Sequence, residues 1–199
     1  MGSKDLRKRE IWQDASGLKA GIAERNFFEV FVEEFQDSDF EVRPNPKEFN
    51  NVYFDVKLSK DVLDAIYTPD LKKWRHGLVP DYAIDNKKNG KTLYVEVKRQ
   101  DGWVEGKPRS AGRGNAHERS CKFFTPGLIK KLREHGKIKE PALPFWVVFQ
   151  GDITRDPCRV REITFWYDGF PEHFFMWRDL KNKKALVDHF SKNLKHLLL

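Results

Sequence analysis

Residues 92–99 read Thr-Leu-Tyr-Val-Glu-Val-Lys-Arg, and their strict alternation is the strongest structural signal in the chain. Side chains along a strand point to opposite faces in turn, so the odd-numbered apolar residues from Leu93 to Val97 share one face. Glu96 and Lys98 share the other face. The sequence therefore predicts a strand that carries an acid and a base side by side.

A second segment predicts that this strand is half of a β-hairpin. Leu78 to Asp85 is short, apolar and rich in β-prone residues, and the turn-forming residues 86–91 separate it from Thr92–Arg99. Asp81 stands fifteen positions before Glu96, and the short turn can bring the two carboxylates together. Converging carboxylate oxygens suit a hard cation such as Mg2+.

Lys98 adds a positive charge to this pair of acids. Two residues of strand place its ammonium about 7 Å beyond Glu96, where it could neutralise a phosphate and orient an attacking water. The implied chemistry is in-line attack on a phosphodiester. Pro-Asp in a turn and Glu-x-Lys on a strand are each common, so the prediction depends on their occurring together.

The segment from Ala15 to Phe35 has the periodicity of a helix that buries one face. Glu24 projects within its apolar arc, where a carboxylate needs either a partner or a function. Both readings stay open from the residues alone. The arc contains Ala20, Ala23, Phe27, Phe28, Val30, Phe31 and Phe35.

The second half of the chain predicts another helix and two more strands. Thr125-Pro126 is typical of a helix start, and that helix runs to roughly Glu134 and ends near Gly136. Phe145–Phe149 is a buried strand, and Val160–Tyr167 is a strand candidate after a turn. The alternation of helices and strands indicates an α/β domain that spans residues 1–199.

The composition favours a folded protein with a polyanionic partner. Lys and Arg total 37 against 30 Asp and Glu, a formal charge of +7, while 39% of residues are hydrophobic and 14% aromatic. These values argue against a disordered basic tail. The longest apolar run, Phe145 to Phe149, is far below the roughly 20 residues of a membrane helix. Cys121 and Cys158 lack metal-ligand spacing and are expected to be free thiols.

The spacing Pro80-Asp81, fourteen residues, Glu96-Val97-Lys98 resembles the signature of the PD-(D/E)xK nucleases. The resemblance implies a restriction-endonuclease-like fold, a central mixed β-sheet flanked by α-helices. It further implies that Asp81, Glu96 and the main-chain carbonyl of Val97 bind Mg2+ and that Lys98 assists the attacking water. Many members carry a first-helix Glu near the active site, and Glu24 resembles it.

The stretch after Lys98 is polar and punctuated by glycine, and by composition alone it is more often a solvated loop than a base reader. Its residues nevertheless include the types that read base edges, since Arg pairs with guanine, Asn with adenine, and Ala packs on a thymine methyl. Lys107, Arg109 and Lys122 flank it and suit phosphate contacts.

Gly114-Asn115-Ala116-His117-Glu118-Arg119 resembles the GNAxER recognition motif of the EcoRI-type restriction endonucleases, and residues 98–107, 110–113 and 145–149 resemble the MunI branch of that family. The resemblance implies a type II restriction endonuclease that cuts CAATTG after the first base and leaves 5′-AATT ends. Arg113 would contact the outer guanine. Asn115, Ala116, Glu118 and Arg119 would read the inner AATT. Gly114 and His117 belong to the same DNA-binding segment, with His117 expected as a turn-facing polar residue.

A palindromic site implies a homodimer, because two-fold DNA symmetry matches two-fold protein symmetry. Leu128, Ile129 and Leu132 could supply that interface, but their spacing is also that of a helix packed on a sheet. A restriction nuclease further implies a cognate DNA methyltransferase in the host, a bacterial cytoplasmic location and no membrane partner.

Three other functions remain as alternatives. A repair or junction nuclease of the same superfamily would keep the catalytic face but lack base readout. A basic DNA-binding module would bind DNA without cleaving it. An RNA-binding domain is disfavoured because the aromatic residues lie in apolar core runs rather than on a stacking platform.

Overall fold

The computed structural model describes residue 21 and residues 24–54, 56–67, 76–102 and 117–199. Five strands form one sheet in the order in which they occur in the chain. β1, β2 and β3 pair antiparallel, and β3, β4 and β5 pair parallel, so the sheet is mixed as predicted. The strands are β1 Phe40–Pro44, β2 Tyr82–Asn86, β3 Thr92–Arg99, β4 Phe145–Gln150 and β5 Phe174–Trp177.

The predicted hairpin is confirmed, with β2 starting at Tyr82 rather than at Leu78. Tyr82 pairs with Val95 across the hairpin. The Asn86 side chain accepts the Lys88 N–H at 2.9 Å inside the turn, and Gly90 has a positive φ of 67°, which a glycine adopts without strain. The turn therefore fixes the register that brings the start of β2 to the middle of β3.

Helices cover both faces of the sheet. The described helices are α1, residues 24–34, α2 Lys60–Ala65, α3 Pro126–Gly136, α4 Pro157–Trp166 and α5 Lys183–Asn193. Phe27 and Phe31 of α1 and Phe190 of α5 pack with Trp146 on one face. Leu132 of α3 and Ile163 of α4 pack with Tyr94 and Phe145 on the other. None of the helices in the described ranges could cross a membrane.

The strand predicted at Val160–Tyr167 is wrong. Residues 160–166 belong to α4, and Tyr167 is the residue at which this helix ends. Asp156 caps the helix by accepting the N–H groups of Cys158 and Arg159 at 2.9 and 3.0 Å, and Pro157 occupies the first turn. Ile163 and Tyr167 recur four residues apart and are both buried, a helical rather than a strand spacing. The fifth strand is β5.

The predicted helix after Thr125 is confirmed as α3. The Thr125 hydroxyl donates to the Lys122 carbonyl at 2.8 Å and does not cap the helix. Leu128 and Leu132 are buried in the core beneath α3, so core packing is confirmed for them. Cys121 and Cys158 form no disulfide within the described part of the chain.

The predicted first helix is confirmed where it is described. Phe27, Val30, Phe31 and Phe35 are buried against the sheet and against α5. Residues 15–20, 22 and 23 of that prediction lie outside the described part of the chain.

Candidate active site

Asp81, Glu96 and Lys98 lie together, as the strand pattern predicts. Asp81 immediately precedes β2, and the pairing of Tyr82 with Val95 sets it beside Glu96. The Lys98 ammonium lies 2.6 Å from Oε1 of Glu96 and 3.6 Å from Oδ2 of Asp81. The flexible side chain of Lys98 therefore folds back along the strand. Its ammonium lies much closer to the Glu96 carboxylate than the spacing of the two residues along the backbone would suggest.

Val97 joins the same cluster through its main chain. Its N–H donates to Oδ2 of Asp81 at 2.7 Å, and its carbonyl oxygen accepts from the Lys98 ammonium at 3.3 Å. The first bond fixes Asp81 on the end of the hairpin. The second shows that the Val97 carbonyl faces the charged groups of the site, where its predicted role as an oxygen ligand requires it to be.

Burial and neighbouring charge shift the protonation equilibria of these groups. Burial, and then the charge of Asp81, raises the pKa of Glu96. Burial alone would lower the pKa of Lys98, but the carboxylates of Glu96 and Asp81 outweigh it and raise the pKa. Burial and mutual repulsion thus disfavour the charged forms of these carboxylates, and a bound cation would reduce that penalty.

Glu24 is electrostatically part of this site. It is half-buried on α1, and burial followed by the charge of Asp81 raises its pKa, with Lys98 acting in the opposite direction. No hydrogen bond or ion pair to a described residue holds its carboxylate. The charges that act on Glu24 are those of Asp81, Lys98 and Glu96, so its carboxylate lies close to the residues of the predicted site.

The residues present fit a hard divalent cation. Glu96 is 4% exposed, and its Oε2 atom is buried without a hydrogen-bond partner in the described ranges. An unpaired buried oxygen is costly unless a ligand satisfies it. Among the described residues, no group of three His, Cys, Asp or Glu side chains is arranged to hold a metal ion. The oxygens that a cation could use here are those of Asp81, Glu96 and the Val97 carbonyl.

Lys122 also reaches this site, which its sequence position does not reveal. It lies in the 3₁₀ helix Glu118–Phe124, its ammonium is 3.8 Å from Oε1 of Glu96, and it sits over the Phe123 ring. The sequence predicts only a phosphate contact for Lys122. Its proximity to Glu96 arises from packing of the 3₁₀ helix over the sheet, and no local pattern encodes it.

The predicted base-reading segment is only partly described. Lys107, Arg109, Arg113, Gly114, Asn115 and Ala116 lie outside the described residues. Glu118 and Arg119 are exposed at the start of the 3₁₀ helix, as a contact with DNA requires.

His117 lies in a turn, and its side chain is fully buried. Its Nε2 atom is 3.1 Å from Oε2 of Glu162, and its ring stacks on Trp166 with centroids 5.3 Å apart. Arg159 donates to both oxygens of Glu162. Burial lowers the pKa of His117. The side chains that contact its ring lie on α4, where the sequence pattern predicts a strand.

Comparison with known proteins places these features in one family. The family described as "Type II restriction enzyme MunI" matches residues 1–199. The chain is 52% identical over 201 residues to "Type II restriction enzyme MunI" from Mycoplasma sp, covering 100% of both chains. It also matches the crystal structure of MunI restriction endonuclease in complex with cognate DNA, with a TM-score of 0.80, 52% identity, and coverage of 94% of this chain and 97% of that chain. The chain therefore belongs to the MunI family of type II restriction enzymes.

Proposed function

We propose that this enzyme makes Mg2+-dependent double-strand cuts in DNA at CAATTG, after the first base, and leaves 5′-AATT overhangs with 5′-phosphates. The convergence of Asp81, Glu96 and Lys98 at one end of a hairpin carries the proposal. Further support comes from the 52% identity to a relative whose solved structure contains its cognate DNA.

Asp81, Glu96 and the Val97 carbonyl would hold the Mg2+ ion. When bound, Mg2+ supplies a Lewis acid that stabilises charge on the phosphate and lowers the pKa of water. Oxygen ligands of this kind match the preference of Mg2+. The N–H of Val97 keeps Asp81 oriented, because it donates to that carboxylate at 2.7 Å.

Lys98 would stabilise the charge that develops on the scissile phosphate and orient the attacking water. Its ammonium is already fixed by Glu96 and by the Val97 carbonyl. A donor held in place before the reaction needs little rearrangement as charge develops, which is the basis of electrostatic catalysis. Glu24, whose pKa is raised by burial and by the charge of Asp81, would act beside them as a further catalytic carboxyl group.

The segment from Arg113 to Arg119 would read the sequence. Arg113 would contact the outer guanine, and Gly114, Asn115, Ala116, Glu118 and Arg119 would read AATT through the major groove. Lys107, Arg109 and Lys122 would contact phosphates, which position the protein without specifying bases. His117, which contacts Glu162 and Trp166 of α4, would hold this segment in place rather than read a base.

The enzyme would act as a homodimer in which each subunit supplies one active site and one reader, because two-fold protein symmetry matches a palindromic target. We propose that the domain spans residues 1–199, that the enzyme acts in a bacterial cytoplasm, and that a methyltransferase protects host DNA at the same sequence.

Digestion of a plasmid of known sequence with Mg2+, followed by mapping of the cut ends, tests the proposal. Cuts at every CAATTG with four-base 5′ ends are expected, together with loss of cleavage in Glu96→Ala. Cuts without sequence preference would instead favour a repair or junction nuclease, and tight binding without cleavage would favour a DNA-binding module.

A further inference from the structure

A cleft of about 430 Å3 opens beside α4. Three exposed arginines dominate its lining, which consists of Thr154, Arg155, Pro157, Val160, Arg161 and Arg178. We refer to this set of residues as the arginine cleft. None of the predicted DNA contacts belongs to it.

Backbone carbonyls hold each guanidinium of the arginine cleft. Arg178 Nε donates to the Thr154 carbonyl at 2.9 Å, and Arg155 Nη2 donates to that of Arg178 at 3.3 Å. Arg161 Nη1 donates to the Pro157 carbonyl at 3.1 Å. A guanidinium has five N–H donors, so each arginine keeps further donors for a ligand while its position is restrained.

The three arginines form no ion pair within the described part of the chain. Arg43, Arg133 and Arg159, in contrast, each pair with a glutamate. Two acids near the cleft are engaged by the backbone, since Asp156 accepts the first N–H groups of α4 and Asp179 accepts the Lys181 N–H. Three guanidinium groups that share one concave surface and keep free N–H donors favour a phosphate ligand.

The arginine cleft opens at the same edge of the sheet as the active site. Arg99, Gln150 and Trp177 form one row across β3, β4 and β5, and Arg178 directly follows that row. Two strand spacings separate β3 from β5, about 10 Å. A duplex that presents its scissile phosphate to Lys98 would cover about three base steps over that distance.

The helix α4 separates the arginine cleft from the base-reading segment. Pro157 and Arg161 face the cleft, whereas Glu162 and Trp166 hold His117. At 100° per residue these two sets lie on opposite sides of the helix. The cleft therefore faces away from the residues that read the target sequence.

We propose that the arginine cleft binds backbone phosphates of duplex DNA outside the CAATTG sequence. The inference rests on the proposed function, because it takes the active site to act on that duplex. Contacts to flanking phosphates would add affinity without adding base specificity.

The test compares binding to two duplexes, one of 10 and one of 24 base pairs, each with a central CAATTG and 5′-hydroxyl ends. The shorter duplex ends before the phosphate that lies three base steps outside the cut. Fluorescence anisotropy in metal-free buffer gives affinity at several salt concentrations, without cleavage. Arg155→Ala/Arg161→Ala is expected to bind the long duplex roughly 10-fold less tightly and to reduce its salt slope by about two units. Binding to the short duplex is expected to stay unchanged.

Two further variants separate charge from structure. Arg155→Lys/Arg161→Lys keeps both charges and should retain most of the salt slope. Lys87→Ala/Lys192→Ala removes two exposed charges in the β2–β3 turn and on α5, and should behave like the wild type on both duplexes. Circular dichroism establishes that each variant is folded.

Unchanged binding of the long duplex by the folded Arg155→Ala/Arg161→Ala variant would overturn the inference, as would equal losses on both lengths. Failure of the proposed function gives a different result. In that case the wild-type protein would bind the CAATTG duplex no better than a scrambled duplex of the same length.

Discussion

The ammonium of Lys98 lies 2.6 Å from the carboxylate of Glu96, although both side chains leave the same face of one strand two residues apart. Both groups are largely buried, so neither is solvated as a free ion would be. Lysine and glutamate on one strand face usually meet in water and contribute little. Here the contact sets a donor of fixed position next to an acid.

Replacement of Lys98 by methionine removes the ammonium and keeps a side chain of similar length. Cleavage at CAATTG is expected to slow by roughly 10²–10³-fold, because a prepositioned charge no longer stabilises the transition state. Binding of the same duplex without metal should persist. Single-turnover cleavage measures the first effect and anisotropy the second, and a rate within tenfold of the wild type would refute the role of Lys98.

Asp81 supports the hairpin as well as the proposed cation site. Asp81→Asn and Asp81→Ala both remove the charge and should both abolish cleavage. Only asparagine keeps an oxygen that can accept the Val97 N–H. Asp81→Ala is therefore expected to be less stable than Asp81→Asn by about 1 kcal/mol. Urea unfolding at pH 7.5 gives the difference, and equal stabilities would mean that the bond contributes nothing.

His117 is expected to matter for specificity rather than for chemistry. His117→Ala removes the contacts with Glu162 and Trp166 that hold the turn at residue 117 against α4. We expect a stability loss of about 1–3 kcal/mol. Discrimination between CAATTG and singly substituted sites should fall roughly 10-fold. Rates on matched oligonucleotides measure that ratio, with the exposed His196→Ala as control; an unchanged ratio would contradict the positioning role.

Stability should fall at acidic pH partly because of His173. It is fully buried, Leu143 N–H donates to its Nε2 at 3.2 Å, and its Nδ1 lies 2.9 Å from the Phe145 carbonyl. Burial lowers the pKa of His173 from 6.5, and the Phe145 carbonyl and Glu172 oppose that shift without cancelling it. Below about pH 6.5, this histidine therefore binds a proton more readily in the unfolded chain than in the folded chain. The free energy of unfolding consequently decreases as pH falls.

The variant His173→Gln isolates this contribution. It should be less stable than the wild type at pH 7.5, because it cannot keep both hydrogen bonds, and the gap should narrow by pH 5.5. Urea unfolding at the two pH values measures the gap. A gap that is constant or widens would assign the acid sensitivity to other groups.

Two glycines of α3 give a matched pair for packing. A Cβ on Gly136 would lie 2.3 Å from the Thr92 carbonyl oxygen, whereas one on Gly127 would meet nothing within 4 Å. Gly136→Ala is expected to destabilise the protein by about 1–3 kcal/mol, and Gly127→Ala to stabilise it by roughly 0.5–1 kcal/mol. Thermal unfolding compares them, and a stabilising Gly136→Ala would show that α3 can move off β3.

The sequence predicts those features that a short stretch of chain determines. Strict alternation at Thr92–Arg99 and the turn before it are local, and they place Asp81, Glu96 and Lys98 together. Val160–Tyr167 was misassigned because a short apolar run fits either period, and the cap at Asp156 decides for a helix. The partners of His117 and the approach of Lys122 to Glu96 depend on packing between distant elements, which no local pattern specifies.

The register of β3 also makes the chain unequally tolerant of length changes. Deletion of one residue between Thr92 and Glu96 would turn the acid and the lysine towards the opposite layer, because every side chain of a strand changes face with a one-residue slip. The connections that leave β3 and β4 at their carboxyl ends are under no such restriction. Under the proposed function, replacement of the connection after β3 would change the target sequence, while Glu96 and Lys98 would keep their places on the sheet.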